Sequence, residues 1–151
     1  MDKFDKAILE TLQKDATLSV AEIADRISLS KTACWRRIQK LESEGVVKSR
    51  VALLDQDKLN LTLSVFISIR TNRHNEEWFK EFRRVVTSIP EVLEVYRMSG
   101  ELDYLVRAVV TDMSGFDKLY QELIKADLFD VSSSFVMETI KHTTELPLDH
   151  L

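Results

Sequence analysis

The chain is 151 residues long, enough for one ordinary domain or two small ones, and its 44% hydrophobic content is ample for packed cores. Thirty per cent charged residues, with only three glycines and two prolines, exclude a low-complexity tract or a long flexible linker, so the chain is expected to fold throughout. The net charge of −4 divides unevenly: residues 1–60 carry eleven Lys/Arg against ten Asp/Glu and residues 61–151 ten against fifteen, which confines any basic surface to the first part.

No apolar run is long enough to cross a bilayer, and the start Met1-Asp2-Lys3-Phe4 is not that of a signal peptide. A cytoplasmic protein without a membrane partner is expected. One cysteine, Cys34, excludes an internal disulfide and a cysteine-based zinc site. It reads as a small apolar filler.

Residues 2–14, DKFDKAILETLQK, place Phe4, Ile8 and Leu12 at a spacing of four, which predicts an amphipathic helix with Asp2 near its start. Ser19 and Glu22 then have the S-x-x-E spacing of a capping box, and Val20, Ile23, Ala24 and Ile27 share one face of the helix that follows. Ser28-Leu29-Ser30 interrupts the pattern. Ser30 is a good N-cap for a further helix in which Ala33 or Cys34, Ile38 and Leu41 make the buried stripe. Two helices and a tight turn, packed across the first helix, predict a helix-turn-helix head.

Within the last of these helices, basic residues outnumber acids, and Glu42 and Glu44 fall at its far end. Ser30 and Thr32 can reach phosphates or base edges, Arg36 and Arg37 can grip phosphate or guanine, Lys31 and Lys40 add charge, and Trp35 offers a flat apolar contact. This reads as a DNA recognition helix. Gly45 is placed to end it, and Val46 to Leu54 reads as a strand or hairpin, the wing of a winged helix, with Lys48 and Arg50 on one side of it. From Ser30 to Arg50 there are six basic residues against two acids, a compact cationic patch. Residues 55–60, DQDKLN, form the predicted linker between a head of residues 1–54 and a second domain of residues 61–151.

From Leu61 the period becomes two: Leu61, Leu63, Val65, Ile67 and Ile69 alternate with polar positions and Phe66. A helix over residues 75–89 follows, with Trp78, Phe82, Val86 and Ile89 inward and Pro90 stopping it. Strands over 92–99 and 102–110 meet at Gly100-Glu101, a helix over 114–126 buries Phe116, Leu119, Leu123 and Ile124, and 131–141 is a last strand. The predicted class is α+β, a winged helix-turn-helix followed by a ferredoxin-like βαββαβ antiparallel sheet with both helices on one face. The other face, carrying Phe66, Tyr96 and Met98, needs a cover. Self-association into a two-fold dimer, suited to a palindromic site on double-stranded DNA, would supply it.

Ile8-Leu9 with Leu12-Gln13, Ala24, Leu29-Ser30, Arg37 to Glu42 and Gly45-Val46, followed by Ser99-Gly100-Glu101-Leu102-Asp103-Tyr104-Leu105, resemble the Lrp/AsnC, or feast/famine, transcription regulators. The likeness covers nearly the whole chain. It implies a regulator whose second domain binds an amino acid and assembles the protein into homodimers, then tetramers or octamers, with the effector at subunit contacts near the Gly100 turn. Many relatives have glycine where this chain has Ser28. The implied effector-binding residues are Met98, Ser99, Gly100, Asp103, Tyr104, Met113, Phe135 and Val136, and the site has its own chemical logic: Gly100 lets backbone amides approach a carboxylate, Asp103 accepts from an ammonium, and Met98, Met113 and Phe135 line an apolar pocket, favouring leucine or methionine.

An enzyme is the first competing reading, but His74, His142 and His150 are not spaced as metal ligands, and Cys34 has no sequence sign of a catalytic base. Glu101 and Asp103 read more simply as solvent-facing than as an acid pair. No catalytic residue, metal or cofactor is expected. The second is an amino-acid-binding regulatory subunit without DNA contact, against which the cationic patch of residues 30–50 argues.

Overall fold

The computed structural model describes residues 1–151 and divides them into two units, one formed by Met1–Leu53 with Lys141–Leu151 and the other by Leu54–Ile140. The last eleven residues therefore belong with the head, whereas residues 61–151 were expected to form one domain. Residues 55–60 are a structured turn of the second unit, with a single 3-10 turn over Asp57–Leu59 ended by left-handed Asn60.

In the head, α1 spans Lys3–Lys14, α2 Val20–Arg26 and α3 Lys31–Ser43. Each start is chemically specified. The Asp2 carboxylate accepts from the amides of Phe4 and Asp5 while the Asp5 carboxylate accepts from the Asp2 amide, and Ser19 and Glu22 make the same reciprocal pair on α2. Ser30 Oγ accepts from the Ala33 amide at 3.2 Å and caps α3. Ile8, Leu9, Leu12, Ile23, Ala24, Cys34, Ile38 and Leu41 form the core. Cys34, not Ala33, takes the buried position, and its burial pushes the thiol's pKa up. Phe4 stays at the edge of this core, with the Arg37 guanidinium over its ring at 5.4 Å.

Ser28 takes a left-handed conformation, φ +56°, in the turn between α2 and α3. A side chain there costs on the order of 1 kcal/mol relative to glycine. Ser28→Gly is therefore expected to raise the stability of the head by about that amount, read as an increase in its melting temperature; an unchanged or lower value would show that serine is unstrained there.

Gly45, at φ +72°, ends α3, but no strand forms over residues 46–54. Val51, Leu53 and Leu54 lie exposed instead. β-propensity alone does not make a strand, because its amides and carbonyls need a hydrogen-bonded neighbour, and this chain supplies none here.

The second unit contains β1 Leu63–Arg70, α4 Glu76–Ser88, β2 Val92–Arg97, β3 Tyr104–Val110, α5 Met113–Leu123 and β4 Asp130–Phe135. The sheet order is β2-β3-β1-β4 with every pair antiparallel. Val65, Ile67 and Ile69 face Ala108, Val106 and Tyr104 and pack under Trp78, Phe82 and Val86 of α4 and Leu119 and Leu123 of α5. Both helices thus cover one face. After Leu123 the backbone tightens to a 3-10 turn, which changes the phase: Ile124, expected inside, is exposed, and Ala126 is buried in its place. The last strand ends at Phe135 rather than residue 141, with one more bond from the Val136 amide to the Ser64 carbonyl.

On the opposite face, Phe66 and Leu105 are half-buried and Tyr96 is exposed, beside a Glu94–Arg107 ion pair at 3.2 Å. Met98, just beyond β2, is exposed as well.

Candidate nucleic-acid interface and effector site

Helix α3 turns Cys34, Ile38 and Leu41 into the head core, and the 100° step of an α-helix then decides where the basic residues go. Lys31, Thr32, Trp35, Arg36 and Lys40 fall on the exposed side. Trp35 is 52% exposed, unusual for an indole with no partner in the chain. Lys31, Arg36 and Lys48 have no carboxylate partner, while Lys40 stands 3.8 Å from Glu44 in a solvated pair worth little. Along α3 these exposed residues give the helix a cationic solvent side that also carries the Trp35 ring.

Two predicted contacts are instead engaged by carboxylates of the head. Arg37 follows Cys34 by three and precedes Leu41 by four, so it lies along the buried stripe. Its Nη1 donates to Asp5 Oδ1 at 2.7 Å and reaches Asp2 Oδ2 at 2.8 Å. The Asp5 side chain is only 12% exposed, which makes this a partly desolvated clamp between α1 and α3. Asp5 first, then Asp2, hold the guanidinium in its charged form. The Asp2 carboxyl is held below its ordinary range, chiefly by the Asp5 amide, with Arg37 adding to it. Arg50 donates to Glu42 at 2.8 Å and is likewise engaged. Sequence reasoning missed Asp2 and Asp5, the two acids that hold the recognition helix in place.

In the second unit, Gly100, at φ +105°, makes the turn between β2 and β3, a conformation that favours glycine. The Met98 amide donates to the Asp103 carbonyl at 2.8 Å and closes the loop over Ser99. The Asp103 carboxylate is not wholly free: its Oδ2 accepts from the Thr71 amide at 2.8 Å, tying the turn to the end of β1. Oδ1 remains open for a further donor. Tyr104 is buried against Trp78 and Phe82 with only its edge on the surface, where it lines a groove of about 190 Å³ with Arg73, His74 and Arg97. Arg97 and His74 were passed over in the sequence, although Arg97 stands opposite Tyr104 in the β2–β3 register.

Met113, Phe135 and Val136 do not join this turn. Phe135 pairs with Val65 and the Val136 amide bonds Ser64, whereas Tyr104 pairs with Ile69. Four residues of strand, about 13 Å, separate the two ends. Phe135 packs edge-on against Phe116 at 5.0 Å, and Met113 is exposed at the start of α5. Within one chain the predicted effector residues thus form two clusters at opposite ends of the sheet.

A capped recognition helix with a free cationic face, on a chain that also carries a βαββαβ unit, defines a DNA-binding regulator with a sensory domain. Family models agree: residues 1–48 match a winged helix-turn-helix DNA-binding domain and residues 64–146 the Lrp/AsnC ligand binding domain. The chain is 54% identical to an AsnC family transcriptional regulator from Agrobacterium tumefaciens, whose crystal structure superposes with a TM-score of 0.95 over 100% of this chain and 99% of that one. It is 46% identical to the DNA-binding transcriptional activator DecR of Escherichia coli over 99% of both chains. A transcriptional regulator of Neisseria meningitidis, solved in complex with L-methionine, is 38% identical with a TM-score of 0.93, covering 99% of this chain and 98% of that one. The chain belongs to the Lrp/AsnC family of transcriptional regulators. No helix is long and apolar enough to cross a membrane.

Proposed function

We propose that this regulator grips double-stranded DNA through Lys31, Thr32, Trp35 and Arg36 of α3, with Lys40 and Lys48 on flanking phosphates. The observation that carries the reading is the set of cations without carboxylate partners around exposed Trp35. Ser30 acts as the helix cap and Arg37 and Arg50 as internal ties, so these three shape the surface rather than read DNA. DNA binding responds to a small amino acid, leucine or methionine before asparagine or lysine. The methionine complex of the Neisseria relative and the exposed methionines at both candidate clusters favour an apolar side chain. Such a pocket separates neighbouring aliphatic ligands by only roughly 1 to 3 kcal/mol per methylene, so more than one amino acid binds. The turn of Met98, Ser99, Gly100 and Asp103 holds the amino-acid head group, and Met113, Phe135 and Val136 of another subunit complete the lining.

The protein acts as a homodimer that assembles further into tetramers or octamers and binds a palindromic operator. The uncovered sheet face and the apolar segment 46–54 are the surfaces a second copy would bury. Full-length protein at micromolar concentration is expected to sediment as a dimer or larger, and Tyr96→Asp to shift it toward monomer. A monomeric parent would overturn the assembly. Footprinting on genomic fragments with and without leucine and methionine tests the regulatory reading directly, and an unchanged footprint would overturn effector control.

A further inference from the structure

A groove runs between α4 and β2, the outermost strand on its side of the sheet, and every residue lining it lies within 73–104. It has two parts. One, of about 190 Å³, is lined by Arg73, His74, Glu76 and Trp78 among others; the other, of about 270 Å³, by Phe82, Val86 and Val95, with Arg83 and Thr87 as further polar members. Phe79, Arg97 and Tyr104 line both, so the parts are continuous. Together they reach the lower end of the about 300–1,000 Å³ range of small-molecule sites, which neither does alone.

The polar groups that meet there are unspent. The side chains of Arg97 and His74 form no ion pair or hydrogen bond, whereas Arg73 is held by Asp127 at 3.0 Å. Tyr104 is only 7% exposed, yet its hydroxyl has no hydrogen-bond partner in the chain. Every side-chain N or O wholly cut off from solvent does have a partner, so this hydroxyl opens on the groove that its residue lines. Arg97 and Tyr104 are directly opposed across β2 and β3, with Cβ atoms about 5 Å apart, so guanidinium and hydroxyl serve one spot. Beside it stands an aromatic wall: the Phe79 ring is 40% exposed and lies at 22° to the Tyr104 ring, 6.2 Å between centroids.

We propose that this groove binds a carboxylate carrying an aromatic ring, within a single subunit and apart from the Gly100 turn, none of whose residues 98–103 lines it. Arg97 pairs with the carboxylate, the Tyr104 hydroxyl donates to the same group, and the ring lies against Phe79 toward Phe82, Val86 and Val95. A whole amino-acid head group suits the groove less well. Arg97, Arg73 and His74 offer donors, and the one carboxylate of the lining, Glu76, sits in the first turn of α4, where the helix dipole already favours an acid. An aromatic acid without an ammonium, the class that deamination of an aromatic amino acid leaves, matches this set.

The test is calorimetry on the full-length protein with hydrocinnamate, its neutral amide, acetate and phenylalanine. Hydrocinnamate is expected to bind at least about tenfold more tightly than its amide, which keeps the ring but not the charge, and than acetate, which keeps the charge but not the ring. Arg97→Met is expected to lose about tenfold for hydrocinnamate, and Tyr104→Phe, which removes only the hydroxyl, a few fold. Neither breaks an ion pair or hydrogen bond within the chain, so both keep the parent's melting temperature. Trp78 reports the location, because in Trp35→Phe it is the one tryptophan left and its emission is expected to shift on binding. No heat from hydrocinnamate, equal affinity for acid and amide, full affinity in Arg97→Met, or heat without a change at Trp78 would each overturn the proposal. Phenylalanine binding more tightly than hydrocinnamate would overturn the ligand class, with Glu76 then accepting from the ammonium. Saturating methionine is expected to leave hydrocinnamate bound; its displacement would merge the groove with the site at the Gly100 turn and overturn a separate one.

Discussion

Replacing Lys31, Arg36 and Lys48 together by alanine is expected to weaken operator binding by at least about a hundredfold at physiological salt and to leave the melting temperature of the head unchanged. None of the three has a carboxylate partner to lose. If each meets a phosphate, the slope of log affinity against log salt should shrink by about 2.7, from three fewer counterions released. Arg37→Ala is expected to behave in the opposite way. It leaves the Asp5 carboxylate, only 12% exposed, without its cation and should cost roughly 1 to 3 kcal/mol of head stability. The Asp2 cap of α1, with Arg37 adding to it, predicts an acid sensitivity. The Asp2 carboxyl has a depressed folded-state pKa, so its contribution is fully present at neutral pH and is lost as the pH falls through that depressed value. Acid melts of the parent should show this loss, and Arg37→Ala should keep most of it, because the Asp5 amide that chiefly depresses Asp2 is still present. Equal operator affinity of the triple variant and the parent at matched salt would remove these three side chains from the interface, and an unchanged melting temperature in Arg37→Ala would remove the clamp.

The contrast between neighbours Arg36 and Arg37 marks where sequence reasoning stopped. Helix starts were legible because a cap is a local event: Ser19 with Glu22, Ser30 and Asp2 lie within three residues of the amides they satisfy. The period-two run through Val65, Ile67 and Ile69 was legible because one face is buried by helices that the same sequence encodes. Arg37 looked like Arg36 because its partner Asp5 is thirty-two residues away and only packing brings them together. Its place beside the stripe of Cys34, Ile38 and Leu41 was nonetheless a usable signal. The segment 46–54 has strand propensity and no mate within the chain, so composition alone overstated it. Ile124 was misplaced by a change of helical pitch that no side chain there announces. The separation of Met113 and Phe135 from the Gly100 turn follows from strand register, and the docking of the tail on the head from Gln13 and Leu148, which no periodicity links. Long-range pairing is the common factor in what was missed.

Asp103→Asn is expected to keep the fold and lose at least about tenfold in affinity for methionine, since with its carbonyl on the Thr71 amide the asparagine turns an NH2 donor, not an acceptor, toward the ligand ammonium. The choice of substitution follows from the turn itself. Asp103 Oδ2 accepts from the Thr71 amide at 2.8 Å, and an asparagine carbonyl can take the same bond, whereas alanine would leave that amide unpaired at a cost of about 1–3 kcal/mol and blur ligand loss with distortion of the turn. Gly100 provides a matching test of shape. At φ +105° any side chain is strained, although nothing lies within 4 Å of where its Cβ would stand, so Gly100→Ala should disturb the loop through backbone conformation rather than collision. Met98, beside the turn, and Met113, at the other end of the sheet, should respond differently from Asp103. Their truncation to alanine should lower affinity for methionine and leucine together by a few fold each, as expected of apolar lining. If the lining is completed by a second subunit, a monomeric Tyr96→Asp variant should lose methionine while retaining Asp103 in its native hydrogen bond. Calorimetry with methionine and leucine on the parent, Asp103→Asn and Tyr96→Asp decides between these expectations: unchanged heat in Asp103→Asn removes the carboxylate from the site, full binding by a monomer removes the subunit contact from it, and no heat from either amino acid in the parent removes the apolar effector.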